Sequence, residues 1–89
     1  MPYISKEDKA IFDSILVEAK GKFDFYGITP GQLNYLVTSL CKMYVERKGI
    51  SYTHLNDVLG MFDGASKEFY RRVVAPYEDK KRDENGDVF

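Results

Sequence analysis

Apolar side chains recur at helical spacing in three separate stretches of the chain. Within each stretch they recur with the spacings of one helical face, mainly three, four or seven positions, which places them on one side of an α-helix. The members of these stretches are, in chain order, Ile11, Phe12, Ile15, Leu16 and Ala19; Leu33, Leu36, Val37, Leu40, Cys41 and Tyr44; and Leu55, Val58, Leu59, Phe62, Phe69, Val73 and Tyr77. The pattern therefore predicts three amphipathic helices.

The first helix is predicted to run from about Lys6 to Lys20. Ser5 stands where an N-cap residue is needed, and the acidic Asp8 follows three positions later. Gly21 is the predicted stop. The segment 21–29 has no helical period, and its alternating aromatic residues favour an extended conformation.

The second helix has the clearest start signal in the chain. Thr29 is the predicted N-cap, Pro30 takes the first helical position, and Gln32 completes a capping box. Gly49 is placed to end this helix after Lys48.

The third helix is predicted to begin after Ser51, which can serve as its N-cap. Gly60 and Gly64 interrupt the pattern and indicate either a break or a surface that another helix approaches closely. Because the apolar period continues beyond both glycines, we expect a nearly continuous helix. Pro76 removes one backbone hydrogen bond and is expected to kink it.

These elements predict an all-α fold. We expect a small helical bundle of three main helices in a single domain over residues 1–89, with the third helix long and kinked at Pro76. A chain of this size buries only about 60–65% of the surface that its unfolded form exposes. One cysteine and one histidine exclude an intrachain disulfide and a conventional zinc site. Self-association is therefore the expected source of additional stability, and we predict a homo-oligomer.

Composition bears on the compartment and on the partners. Thirteen basic and 14 acidic residues give a net charge of −1, which argues against a nucleic-acid partner. No apolar run is long enough to span a membrane, and the first residues lack the apolar core of a signal peptide. We expect a soluble, cytoplasmic protein with no membrane partner.

No residue pattern indicates catalysis. His54 has Ser51 and Asp57 close to it in sequence, but these residues fit the first turn of a helix better than a proton relay. Cys41 belongs to the apolar stripe of the second helix, so we interpret it as a core thiol. The chain has no glycine-rich phosphate loop and no metal-binding signature. We expect a non-enzymatic protein with no catalytic residue, metal or cofactor.

The sharpest polar feature is the arginine pair, Arg71 and Arg72. Consecutive helical residues diverge by about 100°, so one arginine can flank the apolar face while the other points outward. One interpretation is local, because Glu68 stands three and four positions before the arginines, and such pairs contribute ~0.3–0.5 kcal/mol. The other interpretation is an anion-binding site.

Aromatic and basic neighbours support the anion interpretation. Two tyrosines could stack on a planar base, guanidinium groups bind phosphate, and Lys81 and Arg82 add positive charge. The predicted ligand is therefore nucleotide-like. Its predicted site comprises Tyr70, Arg71, Arg72, Tyr77 and Lys80.

A polar column lies along the second helix, with members four residues apart: Asn34, Thr38 and Lys42. Such a column is usually a solvated face. Asn34 and Thr38 would become part of the ligand-binding site if a second subunit covered them.

Four segments of the sequence carry a resemblance: MPYI at the start, GQLNYLVT in the second helix, ISY before the third, and EFYRRVVAPYEDKKRDENGDVF to the end. With these segments the chain resembles an uncharacterised family of small bacteriophage and bacterial proteins. The resemblance implies a phage context, and hence the host cytoplasm. Small accessory phage proteins often act by binding, either blocking a host protein or sequestering a host signalling molecule. The resemblance implies no catalytic residue.

Two functional hypotheses follow from the sequence. The first is a non-enzymatic, homo-oligomeric phage-type accessory protein that captures a nucleotide-like anionic ligand. The alternative is a protein–protein interaction module that inhibits or adapts a host protein, since tyrosine and arginine also dominate protein interfaces. DNA binding through the third helix ranks lower because of the acidic charge balance.

Overall fold

The computed structural model of the chain describes residues 4–87, and these residues form an all-α structure with no strand. The predicted fold class is confirmed. Three helical elements are present, and the third is 34 residues long. Their bounds are α1 Lys6–Tyr26, α2 Pro30–Lys48, α3 Tyr52–Phe69, a π-helical turn Tyr70–Val74, and α4 Ala75–Asn85.

The described residues fall into two units, and the division lies between His54 and Leu55. The first unit contains α1 and α2. The second contains α3 beyond its first turn, the π turn and α4. No described helix is both long enough and apolar enough to cross a membrane.

Helix α1 begins as predicted and ends six residues later than predicted. The Ser5 side chain accepts a hydrogen bond from the Asp8 backbone N–H at 3.1 Å, so Ser5 is the N-cap. The helix passes through Gly21, and the extended conformation expected for 21–29 is wrong for its first six residues. The stop is Gly27, whose positive φ of 74° suits glycine and whose N–H donates to the Phe23 carbonyl at 2.8 Å.

Two salt bridges explain why α1 continues through Gly21. Lys20 pairs with Asp24 at 2.7 Å, and Glu18 pairs with Lys22 at 3.3 Å. Both join residues four positions apart, so each stabilises the helical turn that contains the glycine. A single helical glycine costs only about 1 kcal/mol relative to alanine, which flanking interactions can offset.

Helix α2 confirms the predicted capping box. The Thr29 hydroxyl accepts from the Gln32 N–H at 3.1 Å, and the Gln32 side chain accepts from the Thr29 N–H at 2.9 Å. Pro30 occupies the first turn, and Gly49 ends the helix with a φ of 94°. Both ends of α2 are therefore encoded locally.

Helix α3 also starts at the predicted cap. The Ser51 hydroxyl accepts from the His54 N–H at 3.2 Å, and the helix then continues without a break through Gly60 and Gly64. The prediction of a nearly continuous third helix is confirmed. No described atom lies within 4 Å of a Cβ built on either glycine, apart from the local helix backbone. Among the residues that the structure describes, no other helix therefore approaches Gly60 or Gly64 closely.

The interruption of the third element takes the form of a π turn just before Pro76. The Ala75 N–H donates to the Tyr70 carbonyl, five residues back instead of four. Proline has no N–H to offer, and its ring would clash with the carbonyl four residues earlier. A locally wider turn relieves that clash while the chain stays helical on both sides.

The apolar stripes are exposed in the single chain. No described residue is buried, and Phe69 and Val73 are 60% and 52% exposed. The stripe of α2 is less exposed, and its Cys41 is a half-buried free thiol. The described residues of one chain therefore do not cover these side chains. Helical periodicity identifies an apolar face and not the surface that covers it.

Candidate functional site

The arginine pair is organised by one carboxylate. An Arg71 terminal nitrogen donates to both Glu68 oxygens, at 2.8 and 2.9 Å, and the Arg72 Nε donates to one of them at 3.3 Å. The local pairing interpretation is therefore observed. Helix geometry causes it, because residues three and four positions apart lie on one side of a helix.

These three side chains differ sharply in exposure. The arginine side chains are 64% and 63% exposed, whereas that of Glu68 is only 21% exposed. The carboxylate thus lies beneath the two guanidinium groups, and the cluster has one more positive than negative charge. A solvent-facing positive surface of this kind attracts anions, although the shared carboxylate reduces its strength.

Tyr70 is tied to the far side of the π turn. Its hydroxyl donates to a Glu78 carboxylate oxygen at 2.5 Å. This hydrogen bond, together with the negative charge of Glu78, raises the pKa of Tyr70 above its usual value. The contact connects the π turn to α4.

Tyr77 and the lysines form the next part of the cluster. The Lys81 ammonium lies 5.6 Å from the centre of the Tyr77 ring, within cation–π range, and also pairs with Glu84 at 3.4 Å. Lys80 makes no salt bridge with any residue in the range 4–87. Lys81 therefore lies over the aromatic ring. These contacts do not test the ligand-binding role predicted for Lys80.

Charge is concentrated locally, although the whole chain is nearly neutral. The segment 67–82 contains six basic and three acidic residues within a chain whose net charge is −1. An open groove runs along α3 towards this segment. It is lined by small and apolar residues, Gly60, Met61, Gly64 and Ala65, and it reaches Glu68 and Arg72.

The other predicted site residues, Asn34 and Thr38, lie in the other unit. The Thr38 hydroxyl donates to the Asn34 side-chain oxygen at 2.8 Å, one turn away on α2. This bond uses the side-chain oxygen of Asn34 and not its amide N–H groups. The prediction that both residues contribute to the same site as the arginine pair is not tested by these contacts.

Two candidate catalytic residues, Ser51 and His54, form hydrogen bonds at helix ends. The His54 ring nitrogen Nδ1 lies 2.7 Å from the Gly49 carbonyl oxygen, while the backbone N–H of His54 is held by Ser51. Both contacts satisfy backbone or cap groups where α2 ends and α3 begins. Among the described residues, no group of three or more histidine, cysteine or acidic side chains could hold a metal ion.

Sequence reasoning missed the role of Glu78. Glu78 pairs with Tyr70, which is eight positions earlier in the chain. In a regular helix this spacing does not predict a side-chain contact. The available signal was Pro76 between them, which predicts an irregular turn but not its register.

The fold and the site define a small all-α protein with a basic, tyrosine-containing cluster at a π turn. The chain belongs to the family described as a domain of unknown function, DUF6899, whose sequence model matches residues 1–88. The resemblance to an uncharacterised family is thereby confirmed at the level of the domain family. Comparisons with curated proteins and with solved structures gave no match.

Proposed function

We propose that this protein is a non-enzymatic, homo-oligomeric binding protein that captures a nucleotide-like anion at the arginine–tyrosine cluster. The observation that carries the proposal is the arrangement of Arg71 and Arg72. Both guanidinium groups are largely exposed above a single shared carboxylate. Tyr70, in the same turn of the chain, is held by Glu78.

The chemistry of the cluster suits a phosphorylated, aromatic ligand. Guanidinium groups bind phosphate through paired N–H donors. The rings of Tyr70 and Tyr77 are both more than half exposed, so their faces are accessible for stacking on a base. Lys80 and Lys81 extend the positive charge by one further turn.

The shared carboxylate determines how the anion would bind. Glu68 already occupies donors on both arginines, so a phosphate must either use their outward N–H groups or displace Glu68. Such competition favours an anion of high charge density over a weakly charged one.

Asn34 and Thr38 would complete the ligand-binding site from another subunit. Their hydrogen-bonded pair presents amide and hydroxyl groups on a polar side of α2, and such groups recognise base edges or sugar hydroxyls. This part of the proposal depends on homo-oligomer formation.

Isothermal titration with a panel of linear and cyclic nucleotides tests the proposal. We expect saturable heat with at least one nucleotide for the wild-type protein and none for Arg72→Ala. Arg47→Ala is the matched control, because it also removes one arginine from a helix but lies on α2, outside the arginine–tyrosine cluster. Absence of heat with every nucleotide, for a helical and correctly assembled wild-type protein, would overturn the proposed ligand.

A phage-encoded protein acting in the host cytoplasm fits this activity, since a captured host signalling nucleotide would no longer reach its receptor. The alternative function is a module that inhibits or adapts a host protein. The exposed rings of Phe69, Tyr70 and Tyr77 favour it, because aromatic side chains dominate protein interfaces. Recovery of one host protein in stoichiometric amount, lost with Phe69→Ala and unaffected by added nucleotides, would support the alternative.

A further inference from the structure

We propose that the apolar face of α3 and the π turn pairs with the same face of a second copy of the chain, in antiparallel orientation. The face consists of Leu55, Leu59, Phe62, Phe69 and Val73. The inference rests on the homo-oligomer in the proposed function, and it identifies the surface and the orientation of the partner.

The face is long, continuous and uncovered in the single chain. Its members are between 39% and 65% exposed. They extend from the first turn of α3 into the π turn, about 27 Å at 1.5 Å per residue. An exposed apolar surface of this length indicates a protein interface.

A second copy carries the same apolar face. Pairing of the two faces therefore covers the exposed side chains of both chains at once.

The distribution of charge along the helix selects the orientation. Residues 52–63 contain two acidic residues and no lysine or arginine, whereas residues 64–74 contain three lysine or arginine residues and one acidic residue. A parallel pair would align like charges along the whole length. An antiparallel pair places the acidic half of each helix beside the basic half of the other.

Asp63 and Lys67 lie near the middle of the face and support the same orientation. They pair within one chain at 2.9 Å and are about two-thirds and three-quarters exposed. In the antiparallel pair the two such salt bridges meet near the two-fold axis, where each Asp63 can approach the partner's Lys67. The four charges would then form one network.

The proposed interface borders the groove of α3. Phe69 and Val73 belong to the interface and also line that groove, together with Glu68 and Arg72. Gly64 lies on the far side of the helix, rotated by about 140° from Leu59 at 100° per residue.

Cysteine cross-linking in a Cys41→Ser background tests the orientation directly. Leu59→Cys and Phe69→Cys are prepared as separate proteins, oxidised alone and oxidised after mixing. We expect a disulfide-linked dimer in the mixture and none in either protein alone, since antiparallel pairing brings position 59 close to position 69 of the partner. Gly64→Cys, on the opposite side of α3, is the control and should not form a linked dimer.

Ser66→Arg provides a second measurement that does not depend on removing an apolar side chain. Ser66 is exposed on the apolar side of α3, and arginine is at least as helix-favouring as serine. We expect unchanged helicity by circular dichroism and a loss of assembly by light scattering.

The outcomes separate this inference from the proposed function. Linked dimers from each single protein alone would overturn the antiparallel orientation. A wild-type protein that is monomeric by light scattering would overturn the interface and the homo-oligomer together. An assembly that resists Ser66→Arg, forms no 59–69 link and still binds a nucleotide would overturn only the interface.

Discussion

The Tyr70 hydroxyl donates a hydrogen bond to the Glu78 carboxylate at 2.5 Å, across the part of the helix that contains Pro76. In a regular α-helix, residues eight positions apart are rotated by about 80° around the axis. The π turn Tyr70–Val74 accommodates one additional residue and removes most of that rotation. The contact therefore depends on the irregular turn that the proline imposes.

This contact predicts that the Tyr70 hydroxyl ionises at a higher pH than that of an ordinary tyrosine. The Glu78 hydrogen bond and charge raise the pKa of Tyr70 in the folded protein. A raised pKa means that the folded state retains this proton more strongly than the unfolded state. The resulting stability is fully present below the unfolded value of about 10 and is lost as pH rises through the higher folded value. Ultraviolet titration of phenolate absorbance should show a late component in the wild-type protein.

Two variants assign that late component. Tyr70→Phe should remove it, and Glu78→Gln should move it to lower pH because the carboxylate charge is gone. Two observations together would contradict the assignment. The wild-type curve would show no late component, and Tyr70→Phe would reduce only the amplitude of the main transition.

The helix ends were predictable because their signals are local. The Ser5, Thr29 and Ser51 caps each depend on side chains within three residues of the cap. Gly27 was missed as the end of α1, because Gly21 offers the same signal earlier in the chain. The two glycine positions differ in that two ion pairs, Lys20–Asp24 and Glu18–Lys22, span Gly21.

The candidate site was less predictable than the helices. Pairing of Glu68 with the arginines is one of the two interpretations that the sequence leaves open, and the three- and four-residue spacings explain why it forms. The Tyr70–Glu78 contact could not be predicted, because it depends on the register of the π turn. The exposure of Phe69 and Val73 could not be predicted either, since helical periodicity alone does not reveal what covers an apolar face.

Glu68→Gln is predicted to strengthen anion binding. Glutamine retains the size of the side chain but removes the negative charge that Arg71 and Arg72 share. A neighbouring unit charge in water contributes ~1 kcal/mol, so we expect roughly fivefold tighter binding of a nucleotide identified by titration. Isothermal titration at constant ionic strength measures the change.

Asp79→Asn is the control for that prediction. It removes one negative charge from the same element, but Asp79 lies near Arg82 and not at the arginine pair. Its effect on affinity should be smaller than that of Glu68→Gln. Equal effects of the two variants would show that the total charge, and not the arginine pair, controls binding.

Thr29→Ala is predicted to destabilise α2. The variant removes the hydroxyl that accepts from the Gln32 N–H, and loss of an N-cap of this kind costs ~1 kcal/mol. Chemical denaturation followed by circular dichroism should show a lower midpoint. Thr38→Ala is the matched control, since it removes a threonine from the interior of the same helix, where alanine has the higher helix propensity. Equal destabilisation by both variants would argue against the capping box as the cause.

Gly60→Ala and Gly64→Ala are predicted to stabilise α3. Glycine in the interior of a helix costs about 0.5–1 kcal/mol relative to alanine. An added Cβ at either position would meet no described atom within 4 Å beyond the local helix backbone. We therefore expect a higher denaturation midpoint for each variant and a larger increase for the double variant, because the two glycines are separate helix positions.

The same variants distinguish the two sides of α3. If pairing uses the apolar face, the double alanine variant should retain the assembly of the wild-type protein by light scattering. If another helix instead approaches the glycines closely, the new methyl groups would obstruct that approach. Loss of assembly in the double variant, with helicity retained, would therefore place the interface on the glycine side and contradict the pairing inferred for Leu59 and Phe69.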